Sequence, residues 1–147
     1  MLAATALPPS MPTDSALPEL LHLTYRPDLA VLIGRWGYQA AEAELPAEYA
    51  RLEATALAHG ARHWLQDIRR RSLNYPKTSR WLLTEFFPDM ARRLGGQLRV
   101  AYLVSPALQA HIYAEPTFVP LEAYAGRPFA VGFFGDEGAA IEWLLSP

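Results

Sequence analysis

Leu21, Leu23 and Tyr25 alternate with His22 and Thr24, the period of two expected of a strand with one buried face. A turn at Arg26-Pro27-Asp28 leads into residues 29–36, where Leu29, Ala30, Val31, Leu32 and Ile33 follow one another without a polar break. Such a run suits a strand covered on both faces, so the pattern predicts a β-hairpin whose second strand lies inside a sheet. After Gly37 the period changes. Ala47, Tyr49, Ala50, Leu52, Ala56 and Leu57 recur at helical spacing, which predicts a helix over 42–59 that Gly60 ends. Pro46 marks the first turn of its main segment, leaving 39–45 as a separate turn.

A third strand is predicted over 64–68, then a polar loop over 69–74 and a helix beginning at 75–78. Leu83, Phe86, Phe87, Met90, Ala91 and Leu94 continue that helix at i, i+3/4, i+7 spacing. Pro88 interrupts its hydrogen-bond ladder, so two segments are expected, meeting near Phe87. Gly95-Gly96 closes the pair. A fourth strand over 98–104, a short helix over 106–113, an irregular proline-containing connection through Arg127 and a last strand over 129–134 follow. Asp136 is placed to cap a closing helix through Leu145 whose face presents Ala140, Ile141, Trp143 and Leu144. The order is ββαβαβαβα. Alternation of this kind predicts a single α/β domain over 18–147, with a mostly parallel sheet of four or five strands, an N-terminal hairpin and right-handed crossovers. Residues 1–17, with Pro8, Pro9 and Pro12, show no periodicity and are expected to form a disordered tail.

Composition narrows the functional classes. The chain has 147 residues, 51% hydrophobic and 19% charged, which is one ordinary globular domain. A formal charge of -2 supplies no overall pull toward nucleic acid or an anionic membrane, so any such binding must be local, and neither a nucleic-acid partner nor membrane insertion is expected. Cysteine is absent, which excludes disulfides, thiolate chemistry and sulfur-ligated zinc. No run reaches the roughly 20 apolar residues of a membrane span, and the start lacks a basic, proline-free leader. The expected location is the cytoplasm.

No recognised catalytic set stands out. None of the serines lies in a G-x-S-x-G turn, and His22, His59, His63 and His111 form no metal-ligand pattern, His59 and His63 being separated by the helix-ending Gly60. Neither G-x-G-x-x-G nor a P-loop occurs, so no cofactor is expected. Asp136 and Glu137 suit a helix start. Asp67, near the end of an interior strand, is expected to be paired or functional, with Arg69, Arg70 and Arg71 as partners. The segment DIRRRSLNYPKTSRW gathers Asp67, Arg69, Arg70, Arg71, Lys77 and Arg80 where a strand's carboxyl end meets a helix amino terminus, a favoured place for anions in open α/β sheets. It reads either as a solvated basic loop or as a site for an anionic ligand or protein partner. Ser72, Thr78 and Ser79 lie within reach of the same arginines as candidate phosphorylation sites. Trp36, Tyr38, Tyr75 and Trp81 lie near element ends and offer a second reading, a pocket for an apolar or aromatic ligand or lipid. An enzyme built on Asp67 and an arginine ranks behind both, because catalysis needs a base, a stabiliser and a cleft together. A second copy of the chain is a further candidate partner.

The phrases VLIGRWGY, WLQDIRRR, RVAYLVSP and FAVGFFGDEGAAIEWLL, with this element order, resemble the SpoIIAA-like branch of STAS domains, also labelled STAS/SEC14. The resemblance runs over about 20–145 and implies helices mainly on one face of the sheet and a regulatory or binding role without enzymatic activity. In the wider group a serine in a D-S-S-G-like turn is phosphorylated. The matching neighbourhood here, 67–72, has no such turn.

Overall fold

The computed structural model describes residues 19–147; the expected disordered tail over 1–17 lies outside them. Five strands form one sheet in the order β1-β2-β3-β4-β5, where β1 is Leu21–Arg26, β2 Val31–Trp36, β3 His63–Asp67, β4 Leu98–Leu103 and β5 Phe129–Phe134. The first pair is antiparallel and the others are parallel. Helix α1 (Leu45–His59) joins β2 to β3. Helices α2 (Pro76–Trp81) and α3 (Phe87–Arg93) join β3 to β4, α4 (Pro106–Tyr113) lies between β4 and β5, and α5 (Glu137–Leu145) closes the chain. The expected α/β class and strand count are present.

Neighbouring strands in space are neighbours in sequence, so the sheet has no point at which the strand order reverses. The faces are unequal. Leu32 and Trp36 of β2, Trp64 of β3 and Val100 and Tyr102 of β4 pack with residues of α1, α3 and α4 in the larger core. The alternate residues Val31, Ile33, Leu65, Ala101 and Leu103 pack against Ala140 and Leu144 of α5 on the other face. Both faces of β2 to β4 are therefore apolar, as the unbroken run in β2 predicts.

Three boundaries differ from expectation. The hairpin turn takes in Leu29 and Ala30, since Arg26 pairs with Val31 and Ala30 adopts a φ of 56°; the second strand starts two residues late because four residues are needed to turn the chain. The third strand begins at His63 and ends at Asp67, and Ile68 instead hydrogen-bonds Leu103 as the loop starts. Around Pro88 the two expected segments occur, the second starting at Phe87, but they are joined without a break. A π turn, Leu82–Phe86, lies between α2 and α3 and puts Pro88 in the first turn of α3, the position where proline is tolerated.

Helix ends follow their local chemistry. Gly60 caps α1 with φ 61° and ψ 34°, a left-handed conformation natural to glycine. The Asp136 carboxylate accepts from the Ala139 N–H at 2.8 Å at the start of α5, as the sequence predicts.

Candidate functional site

Three polar side chains are buried among the described residues: Gln66, Asp67 and Arg71. Burying a polar or charged group without partners is costly, so each demands an account. Gln66 points to the larger core, where its Oε1 accepts from the Trp36 indole at 3.0 Å. Gly34 beside it on β2 makes the room, since a Cβ there would stand 2.8 Å from Gln66 Nε2.

Asp67 is fully employed. Arg69 donates to both carboxylate oxygens, at 3.0 and 2.8 Å, and Arg35 donates at 2.9 Å while also gripping Glu137 at the start of α5. Burial pushes the Asp67 carboxyl upward, but the hydrogen bonds from Arg69 and Arg35 outweigh it and hold the group below its usual range. It is ionised and saturated, with no acceptor capacity aimed at a substrate. This cluster ties the ends of β2 and β3 to α5 on the smaller-core face.

Arg71 differs. It is 5% exposed, no carboxylate of the described residues pairs with it, and its Nε is enclosed without a hydrogen-bond partner. Local structure drives it inward. The Arg71 N–H donates to the Ile68 carbonyl at 3.0 Å, closing a tight turn directly after β3. The Gln39 side-chain oxygen accepts from the N–H groups of Ser72 and Leu73 at 2.7 and 3.2 Å, and the Tyr75 hydroxyl donates to the Ala40 carbonyl at 2.8 Å. Pinned on both sides, the loop lays the guanidinium over the Trp36 ring, 5.2 Å from its centre. A cation over an indole gains roughly 0.5–2 kcal/mol, less than the cost of burying an unpaired charge.

The guanidinium borders a cavity of about 60 Å³ at the carboxyl ends of β3 to β5. Tyr49 of α1, Tyr102 of β4 and Tyr124 line it with Tyr75, while Leu82, Phe87, Ile112, Phe118, Val131 and Phe133 supply apolar walls and Glu115 and Thr117 border it from the connection after α4. Burial raises the Tyr49 phenol, and raises that of Tyr102 further still; Arg71 offsets part of each rise. Burial also pushes Tyr124 to about 12. These hydroxyls are neutral donors at ordinary pH. The cavity thus presents one buried positive charge, uncharged hydroxyls and hydrocarbon, with the Glu115 carboxylate and the Asn74 amide at its border.

The predicted residues separate accordingly. Of the basic junction, Arg71 enters the cavity with Asn74, Tyr75, Thr78 and Ser79, Asp67 and Arg69 belong to the ion cluster, and Arg70, Lys77 and Arg80 are exposed. Ser72 is exposed as well, whereas Thr78 and Ser79 are half-buried at the cavity wall. The four aromatics do not share one pocket. Trp36 lies under Arg71, Tyr75 lines the cavity, Tyr38 is on the surface and Trp81 lines a separate groove of about 540 Å³ with Leu45, Pro46, Ala50 and Lys77. Tyr49 and Thr78 form the wall common to groove and cavity. Missing from the expectation are Tyr49 and Tyr102, whose only signal is a hydroxyl on a helix or strand position, and Tyr124, which lies in the irregular connection and carries no signal.

His59 stacks on Tyr25 with ring centres 4.3 Å apart. No group of three metal-ligating side chains comes together among the described residues, and no helix among them is long and apolar enough to cross a membrane. Compared with protein-family models, curated proteins and solved structures, the chain gives no match.

Proposed function

We propose that this chain is a binding module, not an enzyme, whose ligand has an anionic head and an apolar body and sits in the cavity bordered by Arg71. The observation that carries this reading is the buried Arg71, whose Nε is enclosed without a partner and which forms no ion pair among the described residues. A buried cation with no partner lowers stability, and such a cost persists where a ligand supplies the missing charge. The proposal joins the two readings of the sequence, for the anion site and the apolar pocket meet at one arginine. The resemblance to SpoIIAA-like STAS domains supports assigning the module a regulatory or carrier role, in which ligand occupancy is the signal or cargo.

A thermal-shift panel of acetate, octanoate, benzoate, inorganic phosphate and phenyl phosphate at constant ionic strength tests it. At least one anion is expected to raise the melting temperature of the wild type and of Arg70→Met, and none that of Arg71→Met, since a ligand at 100 times its Kd adds about 2.7 kcal/mol. Stabilisation that persists in Arg71→Met, or none in the wild type, overturns the proposal. Stabilisation lost in Arg70→Met but kept in Arg71→Met moves the site to the exposed loop.

A further inference from the structure

Charge, hydrogen-bond capacity and size at the Arg71 cavity narrow the ligand beyond an anion with an apolar body, and this narrowing rests on the binding function proposed above. Arg71 brings one positive charge, and the groups beside it are phenols. A head with one negative charge balances the guanidinium on entry. A dianionic head leaves a net negative charge enclosed among Leu82, Phe87 and Val131, and a buried excess charge is strongly unfavourable. Glu115 at the border of the same cavity opposes a second negative group further.

Donor number points the same way. A guanidinium meets a carboxylate edge to edge through two parallel N–H bonds, and each carboxylate oxygen retains a lone pair for another donor. Tyr49 and Tyr102 line the cavity with Arg71, close enough to feel its charge, and burial keeps both phenols protonated. Size completes the case. A water needs roughly 10–15 Å³, so about 60 Å³ is room for on the order of four to six non-hydrogen atoms. That is a carboxylate on a hydrocarbon stub, well short of a fatty acid or nucleotide.

We infer that the cavity binds a short-chain monocarboxylate of about two to four carbons, its carboxylate held by Arg71 with the Tyr49 and Tyr102 hydroxyls and its alkyl end packed against Phe87 and Val131.

The test is isothermal titration calorimetry of the full chain with acetate, butyrate, octanoate, butyramide and inorganic phosphate, in the wild type, Arg71→Met and Tyr102→Phe. Butyrate is expected to bind more tightly than acetate or octanoate, and butyramide and phosphate are expected not to bind. Arg71→Met should abolish butyrate binding, and Tyr102→Phe should weaken it roughly three- to tenfold, as loss of one hydrogen bond does. Circular dichroism confirms that each variant is folded, and Tyr102→Phe, which removes one oxygen, keeps the test valid if Arg71→Met does not fold. Binding of phosphate or octanoate in preference to butyrate, with loss in Arg71→Met, overturns the monocarboxylate while leaving the Arg71 anion site intact. Equal binding of butyramide and butyrate overturns both. An absence of butyrate binding overturns this inference, and the broader thermal-shift panel then decides the anion site separately.

Discussion

Asp67 and Arg71 stand four residues apart, both buried, yet removing their charges is expected to move stability in opposite directions. Asp67 balances Arg35 and Arg69, so Asp67→Asn leaves two guanidiniums short of a partner and costs about 1–3 kcal/mol. Arg71 balances nothing in the described structure. Arg71→Met keeps most of the side-chain volume while removing an enclosed charge, and the ligand-free variant is expected to be as stable as the wild type or more so by about 1 kcal/mol, after allowing for the lost contact with Trp36. Urea unfolding of the two variants measures both signs. A destabilised Arg71→Met would mean that the guanidinium is a structural strut and not a waiting partner. Nothing in the run Arg69-Arg70-Arg71 distinguishes its members by composition; the turn from Ile68 to Arg71 does.

At the scale of elements, the sheet follows from apolar runs and the helices from their stripes and caps. Gly60 is a clear case: its left-handed backbone ends α1 three residues before β3, and a Cβ there meets nothing within 4 Å. Gly60→Ala is therefore penalised by backbone conformation alone, at about 1 kcal/mol, readable as a lowered melting temperature with unchanged ligand response. Pro88 was legible as an interruption, but not as a π turn. Whether a helix meets a proline by breaking or by adding a residue to one turn depends on what both sides pack against. Here Leu82 and Phe86 on one side and Phe87, Met90 and Ala91 on the other all enter the larger core, and continuity keeps both sets buried.

The whole molecule should show its charges in the pH dependence of stability. His63 is half-buried, and burial, then Arg99 and Arg62, hold its imidazole below the ordinary value of 6.5. The unfolded chain takes up that proton first, so stability present above pH 6.5 declines as pH falls through the lowered value. Asp67, also lowered, adds a second loss below 3.8. The raised phenols of Tyr49 and Tyr102 act in the other sense, with stability complete below pH 10 and lost above it as the unfolded chain ionises more readily. Chemical denaturation from acid to alkali is expected to show a plateau between about pH 7 and 10. His63→Asn should remove the upper of the two acid steps, and persistence of that step would assign it to another group.

The sequence by itself determined the α/β class, the hairpin, the order of elements and both apolar faces of β2, because period and caps are local properties that neighbouring residues enforce. It also located the basic junction after β3. Only the tertiary structure decided which arginine turns inward, that Asp67 is taken up by Arg35 and Arg69, and that three tyrosines from α1, β4 and the turn before β5 face one cavity. Those outcomes depend on groups as far as 102 residues apart, as with Arg35 and Glu137, and on the balance between desolvation and pairing that exists only once the sheet has brought the strand ends together.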